Sequence, residues 1–330
     1  MSAPNNAPTF RLSLDGRNIT PTVEARLVSL QLEEARGDTA DQLDITLSDH
    51  DGKLQIPRKG VTIALAIGWV GSPLVDKGTY VVDEAEHSGA PDQITIRARS
   101  AELGQSLRTR RDQSWHDVSL GDILRTIASR NRLSHRIDAA LASLAQPHID
   151  QTNESDINFV SRLGKRHDAV ATVKKGKLMF LPINGTTNSK GDRLPSITIT
   201  RQSGDSHRYT QCDRDAYTGV RAYWHDSKKA NRTGVVAGTK VNCKTLKDTF
   251  ATEADALREA KAEWQRIQRG MATMSLTLAL GNPLLVPQSP VKVQGFKDQI
   301  DGTGWLVTKV NHTMDDGGFV TRVEMETGAS

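Results

Sequence analysis

The sequence predicts an α+β fold in which two antiparallel β-barrel-like units flank a helix-rich middle. Three observations carry that reading. Apolar residues alternate with polar ones in short runs at both ends of the chain, the period of half-buried strands. Helical periodicity is confined to the middle and to one long late segment. The 26 glycines and 12 prolines lie scattered between the runs and mark many turns. A chain of 330 residues exceeds what one core usually serves. The expected division is 1–105, 106–190 and 191–330.

The first unit rests on "DQLDITLSD", "VTIALAIGWVG" and "DQITIRARS". Alternation puts Leu43, Ile45 and Leu47 on one face, then Ile63, Leu65, Ile67 and Trp69, then Ile94 and Ile96. Turn-rich "DHDGK", "VGSP" and "HSGAPD" separate them. Acidic "EEARGDTAD" is expected as a helical turn or loop, and "RTRRDQSW" as a basic connection.

In "SLGDILRTIASRNRL", Ser119 and Asp122 make a capping box ahead of an apolar face of Ile123, Leu124, Ile127 and Ala128. A weaker helix is expected over "DAALASLA". The stretch "QTNESDINFVSRLGKRHDAVATVKKGKLMFLP" then opens acidic and turns basic. Glu154 and Asp156 suit a helix start, and Lys165, Arg166 and His167 suit its end, following the backbone dipole. Ile157, Phe159, Val160 and Leu163 form its apolar stripe. Val170 and Val173, then Leu178, Phe180 and Pro182, read as a hairpin.

After the polar linker "INGTTNSKGDRLPS", strands are expected through Ile197 and Ile199 and through Val220, Ala222 and Trp224. The longest helix starts at a Thr252 cap with Asp255 and packs Ala256, Leu257, Ala260, Trp264 and Ile267. Gly270 stops it. Met274, Leu276, Leu278 and Leu280, then Val291 and Val293, alternate in the second barrel-like unit, which the helix covers or connects.

Catalytic chemistry is poorly supported. No phosphate-binding glycine loop has its full spacing, and the scattered histidines form no H-x-x-H pair. His207 lies near Cys212 and Asp213 without further ligands. Ser114, His116 and Asp117 are close in sequence, but adjacent residues rarely form a triad, so they are expected as a capped turn. The 43 basic against 39 acidic residues leave +4, too little to indicate nucleic acid, and the basic segments adjoin acids. No cofactor or metal is expected, nor direct nucleic-acid or stable membrane binding. "MSAPNNAPTF" does not read as a signal peptide, and no apolar run approaches the roughly 20 residues that span a bilayer. Cys212 and Cys243 are expected as free thiols, although they are able to pair.

The order of these features resembles the late control D family of contractile-tailed phages, which are baseplate hub proteins related to the hub portion of type VI secretion spike proteins. The resemblance rests first on a "Q-x-x-E-S-D-x-x-F-x-x-R-L" helix and "G-K-L-x-F-x-P" hairpin. Here these are Gln151, Glu154, Ser155, Asp156, Phe159, Arg162 and Leu163, then Gly176, Lys177, Leu178, Phe180 and Pro182. The 119–133 helix is similar too, as is the closing "F-x-T-x-x-x-M-E" at Phe319, Thr321, Met325 and Glu326.

This resemblance covers nearly the whole chain, and it implies a structural role without catalysis. It implies a homotrimer whose paired units make a pseudo-sixfold ring between the sixfold tail tube protein and a trimeric central spike. Other baseplate proteins would surround the ring. It also implies a spike supplied separately, no lysozyme-like segment, and residence in a phage tail baseplate or a tailocin-like particle assembled in the bacterial cytoplasm. Arg162 is expected to reach a carboxylate, with Phe159 and Leu163 in the core; partner-binding residues are not assigned. The alternative is a peptidoglycan-binding or wall-degrading tail component.

Overall fold

The computed structural model describes residues 7–37, 40–100, 105–174, 176–183, 195–211, 217–226 and 231–328. Among the described residues strand exceeds helix, 55% against 20%, so the fold is mainly β. The N-terminal strands are β1 (Pro8–Leu14), β2 (Arg17–Asn18), β3 (Leu27–Ala35), β4 (Gln42–Ser48), β5 (Thr62–Trp69), β6 (Val75–Ser88) and β7 (Gln93–Ser100). Short helix α1 (Thr20–Glu24) separates β2 from β3. The alternating residues pack as expected: Leu43, Ile45, Leu47, Ile63, Leu65, Ile67, Ile94 and Ile96 share one core. The acidic stretch departs from expectation, because Glu33, Glu34 and Ala35 complete β3. Leu30 and Leu32 alternate inward there and carry the glutamates into the strand.

The middle stretch runs α2 (Gln105–Arg108), β8 (Arg110–Ser119), α3 (Leu120–Arg130), β9 (Ser134–Ile137), α4 (Ala139–Ala142), β10 (Ala145–Ser155), α5 (Asp156–Arg166), β11 (Ala169–Lys174) and β12 (Lys177–Pro182). The Ser119 and Asp122 capping box is present. The supposed basic connection is instead β8, paired antiparallel with β10. Trp115 lies opposite Ile149, and both are buried while their neighbours along each strand are largely polar. One inward apolar pair per strand is too weak a period to announce a sheet. Strand β9 joins β12 in parallel, beside the β11–β12 hairpin. These elements close a second apolar core made only of residues between Leu107 and Phe180.

The C-terminal stretch contains β13 (Ile197–Thr200), β14 (Gly204–Gln211), β15 (Gly219–Asp226), β16 (Asn231–Gly238), β17 (Cys243–Phe250), α6 (Glu253–Arg269), β18 (Ala272–Leu278), β19 (Pro290–Gln294), α7 (Asp298–Asp301), β20 (Trp305–Asp315) and β21 (Gly318–Thr327). A third core gathers Met274, Leu276, Leu278, Val291 and Val293. Strand β18 stops at Leu278, and Leu280 lies outside it, 58% exposed, where the alternation had placed a core residue. Helix α6, capped by Thr252, packs Ala256 and Ala260 across the separate β16–β15–β17 sheet.

The two ends of the chain share one sheet. Its order is β14-β18-β21-β20-β3-β4-β7-β6-β5-β1-β2, with β19 joining β20 and β13 joining β19. Pairing of β20 with β3, from Lys309 opposite Ala35 to Asp315 opposite Ser29, makes it continuous. Met314 and Phe319 cross that junction into the N-terminal core.

Candidate functional site

The strongest sequence motif folds into a buried polar node. Ser155 caps α5, its hydroxyl accepting from Asn158 N at 3.4 Å, so Asp156 begins the helix with its carboxylate turned inward. Asp156 is wholly buried and takes Arg130 Nε at 2.7 Å, with a second, shorter contact to Arg130 Nη2. Asn131 Nδ2 donates to it at 2.7 Å and Gln151 Nε2 at 2.9 Å. Gln151 also donates to Glu154 O at 2.9 Å and accepts from Arg130 at 3.2 Å. A buried carboxylate is tolerable only with partners of this number. Glu154 faces outward to Arg162, whose Nη2 lies 2.8 Å from Oε2 and 2.7 Å from Asp150 O. The Arg162 guanidinium also sits 4.9 Å above the Phe159 ring. Phe159 and Leu163 are fully buried, contributing about 1.5–3 kcal/mol each. Gly176 takes φ of +66° in the turn, Leu178 and Phe180 enter the same core, and Pro182 pairs with Ala169. The motif residues therefore meet in the interior, and the only ones it presents outward are Glu154, Arg162 and the hairpin end.

What the middle stretch offers to the remainder of the molecule is charge. Arg269 of α6, its side chain 7% exposed, grips Asp168 with both terminal guanidinium nitrogens, Nη1 at 2.6 Å, and donates from Nε to Glu326 at 3.1 Å. Arg36 meets the same Glu326 at 2.5 Å. Arg166 pairs with Glu259, Arg266 donates to Lys165 O, and Lys174 meets Asp41 at 2.8 Å. His167 is buried beside them with neither ring nitrogen hydrogen-bonded among the described residues. Burial first, then the cations of Arg166 and Arg258, push its imidazole down to about 4.

The β3–β20 junction is built differently. Lys77 Nζ donates to Glu34 Oε2 at 2.7 Å and to Leu285 O at 3.2 Å, inside a shell closed by apolar strands. Burial raises the Glu34 carboxyl, but Lys77 and then His312 overcome it and hold the group below its ordinary value. His312 shares Thr321 Oγ1 at 2.9 Å, and burial followed by Lys77 pushes it down to about 4. Beside this junction opens a groove of about 960 Å³, walled by Trp69, Pro73, Leu74, Ile199, Leu280 and Leu284. Trp69 donates to Gly281 O at 2.9 Å and packs against Phe319 with ring centroids 5.3 Å apart and planes tilted by 40°. A Cβ at Gly281 would stand 2.5 Å from the Phe319 ring, so only glycine allows that approach. Leu280 and Leu284 are 58% and 63% exposed at its rim.

The phage tail baseplate hub family matches residues 38–318. The chain belongs to this family. The probable baseplate hub protein of Escherichia phage 186 is 40% identical over 98% of this chain and 94% of its own length; that of Escherichia phage P2 matches at the same identity and coverage. The prophage MuSo2 43 kDa tail protein of Shewanella oneidensis shares the fold, with a TM-score of 0.70 at 15% identity, covering 97% of this chain and 98% of that one. An Escherichia coli type VI secretion component similar to T4 phage tail proteins gives 0.56 at 14% identity, over 92% of this chain and 74% of that one.

The hub is thus a structural component of a phage tail baseplate, and its relatives are hub proteins rather than enzymes or wall-degrading tail components. Its other sequence candidates sort accordingly. Ser114 and His116 lie on β8, opposite Asp150 and His148, rather than in a turn. His148 Nδ1 is 3.1 Å from His116 Nδ1, and its Nε2 is 3.0 Å from Asp150. Hydrogen bonding from Ser114, then the charge of His148, holds Asp150 below the usual carboxylate range. This exposed cross-strand cluster has no triad geometry, and among the described residues no group of three or more metal-ligating side chains occurs. His207 packs edge-on to Phe296; Cys212 and Asp213 lie outside the described residues. Cys243 Sγ donates to Thr239 O at 3.2 Å. Sequence reading missed Lys77, Glu34, Arg269 and Asp168. Their only signal was charge inside otherwise apolar or helical runs, which does not name a partner so far away in the chain.

Proposed function

We propose that three copies of this hub close into a ring that adapts a sixfold tail tube to a trimeric central spike. The carrying observation is the two-core sheet: two strand-rich units, each with its own apolar core, run together through β3 and β20. Three such chains offer six comparable docking edges. In this reading the 1–105 and 191–330 segments form the ring. The 106–190 segment, helix-rich around α3 and α5, braces it or faces other baseplate proteins. The exposed apolar rim of the Trp69 groove favours self-assembly, since such side chains are costly to leave in water. The motif residues from Gln151 to Pro182 serve as an internal frame for the bracing segment. The setting is a phage virion tail or a phage-tail-like particle, built in the host cytoplasm.

Light scattering and cryo-electron microscopy of the chain co-expressed with its tube and spike proteins test this. The expected result is a threefold ring at three times the 36.1 kDa chain mass, with tube and spike on opposite sides. A chain that stays monomeric with both partners present would sink the proposal.

A further inference from the structure

The β16–β15–β17 sheet has α6 on one face only. Alternation sends Val220, Ala222 and Trp224 toward that helix and leaves Arg221, Tyr223 and His225 on the other face. In register, Tyr223 stands opposite Gly234 and His225 opposite Arg232. A Cβ at Gly234 would approach Tyr223 Cε1 to 3.2 Å, so the ring packs close over the glycine. The Arg232 guanidinium lies 4.1 Å from the ring centroid. The ring is half-buried and already engaged by a cation.

Several cations on other strands are answered by carboxylates. Arg97 has Glu84, Arg99 has Asp83 and Lys309 has Glu33. Among the described residues, Arg221, His225 and Arg232 make no ion pair. The neighbours on β17 beside Arg221 and Tyr223 are Thr245 and Thr249.

We propose that this face docks an acidic segment of another protein. Guanidinium groups on adjacent paired strands, without an ion pair among the described residues, suit carboxylates, which they bind bidentately. A nucleic acid is the less fitting partner, because stacking platforms present free aromatic faces and Tyr223 is covered by Arg232. The docking is electrostatic, so it weakens with salt and is fast in approach. It lies on a sheet separate from the continuous β3–β20 sheet that carries the ring reading.

The test uses the full chain and fluorescein-labelled poly-L-glutamate, with poly-L-glutamine and oligo-dT of matched length alongside, read by anisotropy at low salt. Poly-L-glutamate is expected to bind, with Arg221→Glu plus Arg232→Glu weakening it at least about tenfold. Arg58→Glu plus Lys59→Glu, the same charge change on an exposed loop, is expected to change it less than about twofold. Arg221→Gln plus Arg232→Gln guards against misfolding and should fall between the two. Three results overturn the proposal: no poly-L-glutamate binding, an equal loss in the loop variant, or tighter oligo-dT binding lost with the same two arginines. Self-association of the wild type that the sheet variants abolish would also overturn it, by assigning the face to a second copy.

Discussion

Two seams hold this hub together, and they are built from opposite materials. Between β3 and β20, backbone hydrogen bonds continue one sheet into the other while Met314 and Phe319 cross into the neighbouring core. The Lys77 and Glu34 pair lies sealed within it. Between α6 and the middle stretch, the contacts are Arg269 with Asp168, Arg166 with Glu259 and Arg266 with Lys165 O. The middle core closes on itself and lends no residue to the cores at either end. A seam of shared core and ladder opens only if the fold opens. One of charge pairs opens locally, and answers to salt and acid.

The largest effect is expected at the continuous seam. Lys77→Ala leaves Glu34 buried without its ammonium and should cost about 3–5 kcal/mol in urea unfolding of the whole chain. Lys77→Met with Glu34→Leu should recover most of that, since an apolar pair of similar volume removes both desolvation penalties. If the double variant is as unstable as the single one, charge is not what that site contributes. Arg269→Ala strands Asp168 and should cost about 2–4 kcal/mol locally. Amide exchange decides here: faster exchange confined to α5, β11 and α6 supports separate seams, whereas uniform loss across β3 and β20 removes the contrast.

Acid sharpens it next. His167 has a folded pKa of about 4, below its ordinary 6.5, so folding favours the neutral ring. Its contribution is whole above pH 6.5 and is lost as pH falls toward 4, roughly 1–3 kcal/mol in all. His312 follows the same sign in the other seam. His167→Leu should flatten the slope between pH 6.5 and 4 for amides of the middle stretch and leave β20 unchanged. An unaltered slope would move the acid response elsewhere. The smallest effect belongs to Arg166→Ala, whose partly exposed pair with Glu259 is worth about 1 kcal/mol and should vanish from thermal unfolding at about 1 M salt.

Much of the local structure was legible from residue order. Strict alternation located β4, β5 and β7, and the caps at Ser119 and Thr252 located α3 and α6, because these signals lie within a few residues of one another. The motif from Gln151 to Pro182 marked the family. It also exposed a limit, since Glu154 was read as the start of a helix but stands on β10, with Ser155 as the cap.

The charged strands β8 and β10 were hidden because each buries little apolar surface of its own. Parallel β9 was hidden because four residues carry almost no period.

The sequence by itself determined where the alternating strands and the capped helices form, and the family to which the hub belongs. Only the tertiary structure decided that Ala35 meets Lys309, that Arg269 holds Asp168, and that α6 covers the β16–β15–β17 sheet rather than the C-terminal core. The reason is range. Periodicity and capping act between near neighbours, whereas a strand edge or a buried charge is satisfied by whatever the whole fold brings within about 3 Å.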